Sequence, residues 1–370
     1  MIKKSILWLI VIFVLTLTLL GGCIPKYSDS SDSHSISITD MVGRNVSISD
    51  TVKKVVAIGP GALRLYCYAG SIENVVGIEQ LEKDNPMGRP YILANPSLTN
   101  LQVIGSGGPN NSPDAEKILA VKPDVIFTTY ASDKAAADNL QSKIGIPVVA
   151  ISYGKLSTFD SAVYDSIKLI GKIIGDDKRA EEVIEFMKNC EKDLDNRTKN
   201  IPDDKKPSAY VGALNMKGSH GIESTQGNYS LFNTVHAKNV VDETGKTGSI
   251  MIDKEKLIQW DPDKIFLDFG GINIVKDDYK KNTEFYKTLS AFKNGEVYTL
   301  LPYNFYTTNI DTAMIDAYYI GKVLYPENFK DIDVEKKADE IYKFLLGKEL
   351  YSQMVEDFGR LGKVQFIFKS

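Results

Sequence analysis

The sequence predicts an α/β protein of two lobes, each with a central parallel sheet flanked by helices, joined by a long rigid α-helix. Short runs rich in β-branched residues alternate with helical patterns in both halves of the chain, which is typical of helix-covered parallel sheets. One pattern occurs once in each half, as AEKILAVKPDVIF at residues 115–127 and KEKLIQWDPDKIF at residues 254–266. The chain of 370 residues also exceeds the size of a usual single core.

The predicted lobes occupy residues 36–157 and 202–370. In the first lobe, buried apolar runs predict strands at residues 55–58, 75–78, 101–104, 124–128 and 147–151. One helix is expected to begin at Leu63–Cys67 and another to extend from Ala131 to Lys143. In the second lobe, similar runs predict strands at residues 209–214, 240–241, 264–267 and 296–300. A largely helical end is expected from Ile310 onward.

Residues 158–201 are predicted to link the lobes. Apolar residues recur there every three or four positions, which predicts helices over residues 159–174 and 177–197. Gly175-Asp176-Asp177 lies between them as a helix stop followed by a new N-cap. A helical link is stiff, so we expect only a small closure of the lobes. Two surface helices of one lobe are the alternative.

The first residues have the composition of an export signal. Lys3 and Lys4 precede an apolar run from Ile6 to Leu20, which is shorter than the roughly 20 residues that a membrane-spanning helix needs. Leu20-Gly21-Gly22-Cys23 resembles the lipobox of secreted lipoproteins. Residues 1–22 are therefore expected to be a cleaved signal peptide, Cys23 the lipid attachment site and residues 23–35 a flexible tether. An uncleaved anchor helix is the alternative.

Composition excludes several classes of protein. The formal net charge is −4 and no block of Lys or Arg occurs, so a nucleic-acid-binding surface is not expected. Cys67 and Cys190 lie far apart in helical patterns, which favours buried free thiols over a disulfide framework. Only three histidines are present, which disfavours a metal site built from several imidazoles.

The repeated segment combines packing residues with one unexplained charge. In each copy a helix is expected to begin at Glu-Lys and end before Pro, and Ile-Phe to begin a buried strand. The apolar helix positions are predicted to be core, namely Ile118, Leu119, Val121, Leu257, Ile258 and Trp260. Glu116 and Glu255 fall in the first turn, where the helix dipole favours a carboxylate although packing does not need one.

Together, these segments resemble the substrate-binding proteins of ABC importers for iron-siderophore complexes, haem and cobalamin. The resemblance extends from Ile36 to the C-terminus. It rests on the order and spacing of these segments: ITDMVGRNVSI, VVAIGPGALRLYCYAG, AEKILAVKPDVIF, IGKIIGDDKRAEEVIEFM, KEKLIQWDPDKIFLD, AFKNGEVYTL and IDTAMIDAYYIGKVLYP. The resemblance implies two α/β lobes joined by a long helix and a monomer without a cofactor of its own. It further implies that Glu116 and Glu255 dock onto arginines of the permease's transmembrane subunits.

A ligand site is expected in the crevice between the lobes, at the loops that follow the strands. Gly59-Pro60-Gly61 begins like a dinucleotide fingerprint, but Arg64 stands where the third glycine would be needed. This turn suits an anionic group of a ligand instead, although a solvated Arg64 is an equal alternative. The candidate ligand contacts are Arg64, Tyr130, Tyr153, His220, Glu223, Tyr229, Asp268, Tyr303 and Tyr306.

The sequence leaves open the identity of the cargo and two rival classes of protein, an enzyme and a sensor. The resemblance implies a metal chelate as ligand, with an iron-siderophore complex as the first expectation and cobalamin or haem as alternatives. No nucleophile-elbow, zinc-protease, P-loop or C-x-x-C motif occurs, so we expect no enzyme. The remaining enzyme hypothesis is an exported metal-dependent hydrolase or chelatase that uses His220, Glu223 and Asp268. A tethered sensor without a permease is the other rival.

Overall fold

The computed structural model describes residues 35–108, 111–155, 158–215 and 217–364. The predicted signal peptide, Cys23 and nearly all of the predicted tether lie outside these residues. Within the described ranges, no helix is both long and apolar enough to cross a membrane.

The N-terminal lobe is built on three parallel strands. Strand β4, Val125–Thr128, lies between β3, Val55–Ile58, and β5, Val148–Ala150. The residues of all three strands are buried, because helices cover both faces of the sheet. A separate antiparallel pair precedes this sheet, formed by β1, Ser35–Thr39, and β2, Asn45–Ser49.

The C-terminal lobe has a four-stranded parallel sheet in the order β11-β10-β6-β8. Its strands are β6, Ser208–Gly212, β8, Lys238–Asn239, β10, Lys264–Asp268, and β11, Val297–Leu300. An antiparallel pair lies beside it, formed by β7, Ser224–Gly227, and β9, Gly248–Met251.

The described part of the chain also contains the following helices. In the N-terminal lobe they are α1, Ala62–Ala69, α2, Gln80–Asp84, α3, Pro90–Ala94, α4, Ala115–Val121, and α5, Lys134–Ile144. The link contains α6, Ser161–Ile174, and α7, Asp177–Thr198. In the C-terminal lobe they are α8, Ser230–Thr234, α9, Lys254–Trp260, α10, Ile272–Lys281, α11, Thr283–Thr288, α12, Ser290–Lys293, α13, Ile310–Leu324, α14, Val334–Leu346, and α15, Tyr351–Phe358.

The two link helices are separated at the predicted place. Gly175 is left-handed with φ 75° and ends α6, and the Asp176 side chain caps α7 by accepting from the Arg179 N–H. The buried face of α7 includes Val183, Met187 and Leu194, which belong to one hydrophobic core that also contains strand residues of both lobes. The link is therefore packed into the fold along its length.

The two-lobed α/β fold is confirmed, with several local corrections. Residues 75–78 and 101–104 were predicted as strands, but they form only single bridges, from Val75 to Val55 and from Ile78 to Val103. The strand pairing does not extend beyond these bridges: a 3₁₀ turn ends at Asn74, immediately before the first bridge, and Gly77 packs closely against Ile104. Residues 240–241 belong to a 3₁₀ helix, Val240–Thr244, because the Asn239 side chain accepts from the Val241 N–H.

The glycine-rich segment at residues 217–229, which the sequence indicates to be a loop, contains a strand. Its residues Ser224–Gly227 form β7, which pairs with β9. This strand contains Ser, Thr, Gln and Gly, which give no alternation of apolar and polar residues, so its sequence does not indicate a strand.

Candidate ligand site between the two lobes

One loop of the C-terminal lobe, residues 301–309, reaches into the N-terminal lobe, and we call it the crossing loop. It connects β11 to α13 and is closed by the Asn309 N–H, which donates to the Tyr303 carbonyl at 2.7 Å. Tyr306 and Thr307 at its tip are both left-handed, with φ of 55° and 68°. This conformation is costly for a β-branched residue such as Thr307, and strain of this kind is concentrated at functional sites.

Arg64 holds the crossing loop against the N-terminal lobe. It lies in the first turn of α1 and is fully buried. Its guanidinium donates to the carbonyls of Phe305, at 2.7 Å, and Thr308, at 3.0 Å, and to the Tyr153 hydroxyl at 3.1 Å. In this conformation Arg64 has no surface left for a ligand, so a direct contact with cargo stays a prediction that requires the crossing loop to move.

Tyr130 and Tyr306 are brought together from opposite lobes around Glu79. The Tyr130 hydroxyl donates to Glu79 Oε1 at 2.8 Å, and the Tyr306 hydroxyl donates to Glu79 Oε2 at 3.0 Å. The two hydroxyl oxygens are 2.9 Å apart. Burial raises the pKa of Glu79 above its ordinary value, while the Gly59 N–H and the two hydroxyls that donate to the carboxylate oppose that shift.

A cavity of about 390 Å³ lies at the carboxyl ends of the N-terminal strands, where ligands bind in open α/β sheets. Its lining combines hydroxyl groups with small and apolar side chains, and Thr307 is its contribution from the C-terminal lobe. The lining residues are Met41, Val42, Pro60, Thr129, Ala131, Ser132, Ile151, Ser152, Tyr153 and Thr307.

A second cavity is larger but lies elsewhere. It measures about 570 Å³ and is lined by residues around α13, α14 and α15, including Tyr319, Lys330 and Tyr351. No strand end contributes to it. A cavity of about 410 Å³ beside Tyr130 and Ala131 also reaches the end of β4, but all of its lining residues belong to the N-terminal lobe. The contribution of Thr307 from the opposite lobe, and not volume, therefore selects the cavity of about 390 Å³ as the candidate ligand site.

Three further candidate residues form a buried group in the C-terminal lobe. The rings of Tyr229 and Tyr303 lie 6.5 Å apart, and Asp268 is close enough to influence the pKa of both phenols. Burial raises the pKa of Asp268 to about 8, against the opposing effect of the Gly270 N–H that donates to its carboxylate. None of these three residues lines the cavity at the strand ends.

His220 and Glu223 lie apart from that cavity. Glu223 pairs with Lys254 at 3.4 Å, and Lys254 also pairs with Asp278 at 2.6 Å. Among the residues that the structure describes, no group of three His, Cys, Asp or Glu could hold a metal ion. Of the nine candidates, only Tyr153 lines the cavity, while Arg64, Tyr130 and Tyr306 lie at the neighbouring contact between lobes.

Sequence reasoning missed several residues of this region. Glu79 directly follows the apolar run Val75–Ile78, so its position after a predicted strand was a usable signal. Thr129, Ser132 and Ser152 also follow predicted strands, but short hydroxyl residues are common in any loop. Thr307 follows the aromatic run at residues 303–306 and was not identified, because no sequence pattern shows that its loop reaches the other lobe.

Glu116 and Glu255 occupy equivalent places in the two lobes. Both are exposed and lie in the first turn of α4 and α9, respectively. Neither carboxylate forms an ion pair with another residue of the described ranges, although Lys117 beside Glu116 pairs with Asp114 at 3.2 Å. Their role in docking is not visible in a single chain and stays a prediction.

The fold matches a known family. Residues 68–303, more than half of the chain, match the family described as periplasmic binding protein. The chain belongs to this family. The resemblance found in the sequence is therefore confirmed, as is the expectation of a binding protein instead of an enzyme.

Curated relatives cover most of the chain. The molybdate-binding protein MolA of Haemophilus influenzae is 25% identical over 332 residues, covering 83% of this chain and 89% of MolA. The uncharacterized ABC transporter substrate-binding lipoprotein YvrC of Bacillus subtilis is 22% identical, covering 89% of this chain and 99% of YvrC. The iron(3+)-hydroxamate-binding protein FhuD of B. subtilis is 25% identical, covering 76% of this chain and 84% of FhuD.

Solved structures show the same fold. A periplasmic solute binding protein from Veillonella parvula superposes with a TM-score of 0.69 at 22% identity, covering 88% of this chain and 97% of that protein. This likeness supports the fold and does not identify a ligand.

Proposed function

We propose that the protein is the extracytoplasmic solute-binding component of an ABC importer and captures a compact anionic solute in the cavity at the N-terminal strand ends. The position of this cavity carries the proposal, because it lies at the crevice and receives Thr307 from the opposite lobe. The lipid on Cys23 and the tether would keep the protein at the outer face of the membrane. A permease would then meet Glu116 and Glu255.

The chemistry of the cavity supports an anionic cargo. Gly61 is the N-cap of α1, and no acidic residue lies in the first turn of this helix, although the buried Glu79 carboxylate accepts from the Gly59 N–H just before it. Pro60 and the hydroxyl residues Thr129, Ser132 and Ser152 line the neighbouring space. The Thr129 hydroxyl already donates to the Pro60 carbonyl at 3.0 Å, so the hydroxyls of Ser132 and Ser152 and the helix N-terminus are the suitable donors for the oxygens of a small anion.

The size of the cavity favours a compact cargo. Its volume of about 390 Å³ lies near the lower end of the roughly 300–1,000 Å³ typical of small-molecule sites. A tetrahedral oxyanion such as molybdate is the first candidate, and the relative named for molybdate supports it. An iron complex is the second candidate, supported by the relative named for iron(3+)-hydroxamate. Haem and cobalamin are the bulkier alternatives.

Equilibrium titration of the purified protein tests the proposal. The solutes are molybdate, tungstate, sulfate, a ferric hydroxamate, haem and cobalamin, each followed by calorimetry and by absorbance. Saturable binding of one solute that is recovered unchanged supports a binding protein and names its cargo. A solute that is chemically altered would revive the hydrolase or chelatase hypothesis. Absence of binding to every solute would overturn the proposed cargo class.

A further inference from the structure

The structure gives an internal role to most of the repeated segment, and it gives the same role twice. Ile118 and Leu257 are buried at equivalent positions of α4 and α9. Asp124 Oδ2 accepts from the Lys54 N–H at 2.8 Å, and Asp263 Oδ2 accepts from the Ser208 N–H at 2.7 Å. Each aspartate therefore fastens the start of the neighbouring strand, and these repeated positions are explained by the architecture of the lobes.

The repeated lysines pair only locally, Lys117 with Asp114 and Lys256 with Gln259. Two further repeated positions have no internal role. One is the pair Glu116 and Glu255, both exposed. The other is the pair Leu119 and Ile258, which the sequence predicted to be core. That prediction is wrong, because Leu119 is 44% exposed and Ile258 is 40% exposed. Each helix has only seven residues, so a single inward-facing turn places Ile118 or Leu257 in the core and leaves the next residue outside.

Leu119 and Ile258 are exposed at equivalent positions of the two lobes, which is unusual for large apolar residues of this protein. A single exposed apolar residue is normal on a protein surface and needs no explanation. In the described part of the chain, however, the large hydrophobic residues exposed to this degree are only Met87, Leu119, Met251, Ile258 and Ile274. Two of these five occupy the same position of the repeat, one in each lobe.

The exposed residues also lie beside the exposed carboxylates. Leu119 follows Glu116 by three residues, and Ile258 follows Glu255 by three residues. Residues spaced by three on a helix are neighbours on its surface. Each lobe therefore presents one apolar side chain next to one carboxylate that has no ion-pair partner within the described ranges, and we call each such pair a docking patch.

We propose that Leu119 and Ile258 are apolar anchors through which the two docking patches enter matching apolar depressions, rimmed by cationic groups, in the two transmembrane subunits of the permease. This inference rests on the proposed function, because it assumes that the protein meets a permease. Two equivalent patches suit a partner with two equivalent sites. An anionic lipid surface would repel the carboxylates, and a second copy of this chain would place carboxylate against carboxylate.

Docking through two patches makes small anchors effective. Burial of one half-exposed aliphatic side chain corresponds to about a tenfold gain in affinity. When both patches lie on one rigid body, the second contact forms at a high effective concentration, so the two gains reinforce each other. Replacement of both anchors by polar residues should therefore weaken docking by far more than replacement of one anchor.

Photocrosslinking in cells tests this inference without knowledge of the cargo. The full-length chain carries photoreactive benzoylphenylalanine at position 120 or at position 259, since Ala120 and Gln259 are exposed equivalents that leave both patches intact. Cells that contain the importer are irradiated, and crosslinked proteins are identified by mass spectrometry. We expect transmembrane subunits of an ABC permease to be captured from both positions.

The substitution Leu119→Gln together with Ile258→Gln should then lower the crosslinking yield at least tenfold. Ile274→Gln is the matched control, because Ile274 is 42% exposed but lies outside the repeat, and it should leave the yield unchanged. If the double substitution leaves the crosslinking yield unchanged, or if Ile274→Gln lowers it equally, Leu119 and Ile258 are not apolar anchors, but the proposed function is unaffected. Failure to capture any permease subunit from the unsubstituted patches would instead overturn the proposed function on which the inference rests.

Discussion

The hydroxyl oxygens of Tyr130 and Tyr306 lie 2.9 Å apart, although the two residues are 176 positions apart and belong to different lobes. Both hydroxyls also contact the buried carboxylate of Glu79. The crossing loop is therefore held at its tip by a polar cluster in the N-terminal lobe. This contact lies next to the cavity to which Thr307, the residue after Tyr306, contributes.

Removal of one hydroxyl should loosen the crossing loop. We expect Tyr306→Phe to cost roughly 1–3 kcal/mol of the free energy of unfolding, because the hydroxyl contacts Glu79 and Tyr130 and accepts from the Gly108 N–H. Amide hydrogens at residues 301–309 should also exchange faster with deuterium. Tyr66→Phe is the control, since the Tyr66 hydroxyl donates to the Ser71 carbonyl within one lobe. Equal exchange in the crossing loop of both variants would contradict this account of the contact.

The glycine turn before α1 should tolerate no side chain. A Cβ at Gly61 would lie 2.5 Å from both Thr307 Cγ2 and the Tyr153 hydroxyl, and the φ of Gly61 is 77°. Gly145 has a φ of 74°, but a Cβ at this residue would meet no atom within 4 Å, so Gly145→Ala isolates the backbone cost. We expect Gly145→Ala to cost about 1 kcal/mol in denaturant unfolding and Gly61→Ala roughly 2 kcal/mol more. Similar costs for both substitutions would show that the lobes are not in close contact there.

Glu82 should make stability depend on pH. It is fully buried, accepts from the Tyr91 hydroxyl at 2.7 Å, and burial raises its pKa from 4.5 to about 8, with the Glu79 carboxylate adding to the shift. The stabilising contribution of Glu82 is fully present below pH 4.5, because its carboxyl group is protonated there in both the folded and the unfolded protein. It is lost as the pH rises toward 8, at up to roughly 1.4 kcal/mol per pH unit.

Denaturant unfolding between pH 5 and pH 9 checks this expectation. Glu82→Gln keeps an acceptor for Tyr91 but cannot titrate, so its stability should fall less steeply with pH than that of the original protein. Parallel pH profiles for the two proteins would mean that Glu82 is ionised in the fold and that its raised pKa is not realised.

The two exposed glutamates should matter for transport and not for folding or capture. We expect Glu116→Arg together with Glu255→Arg to change the free energy of unfolding by less than about 0.5 kcal/mol per site, because both positions are on the surface. Solute affinity in calorimetry should stay unchanged, while uptake by cells should be abolished. Normal uptake by this double variant would exclude a docking role of the two glutamates, whereas its loss would exclude the sensor hypothesis.

The sequence predicted those parts of the protein that depend on local patterns. The helices of the link, with Gly175 and Asp176 between them, follow from spacing and capping chemistry, and the buried Ile-Phe pairs follow from short apolar runs. The core assignment of Leu119 and Ile258 was wrong because α4 and α9 bury only one side: Ile118 and Leu257 face the core, and the next residue, about 100° further round the helix, faces outward.

The candidate site was harder to predict because it depends on contacts between distant segments. Tyr130 and Tyr306 were both identified as residues after strands, but only the fold shows that they meet at Glu79. Arg64 was expected at a ligand, and its burial under the carbonyls of the crossing loop depends on how that loop is placed. Local sequence carries no information about this placement.

The most direct test of the account is calorimetric titration of a variant whose cavity is filled. Ser132 lines the cavity at the strand ends and is exposed, so Ser132→Trp should fold normally and occupy the space of the solute. Lys330→Trp, in the larger cavity near α14, is the matched control. With the solute that binds the original protein, we expect Ser132→Trp to weaken binding at least about tenfold, the equivalent of 1.4 kcal/mol, and Lys330→Trp to have no effect. Full affinity in Ser132→Trp would contradict capture of the solute at the strand ends.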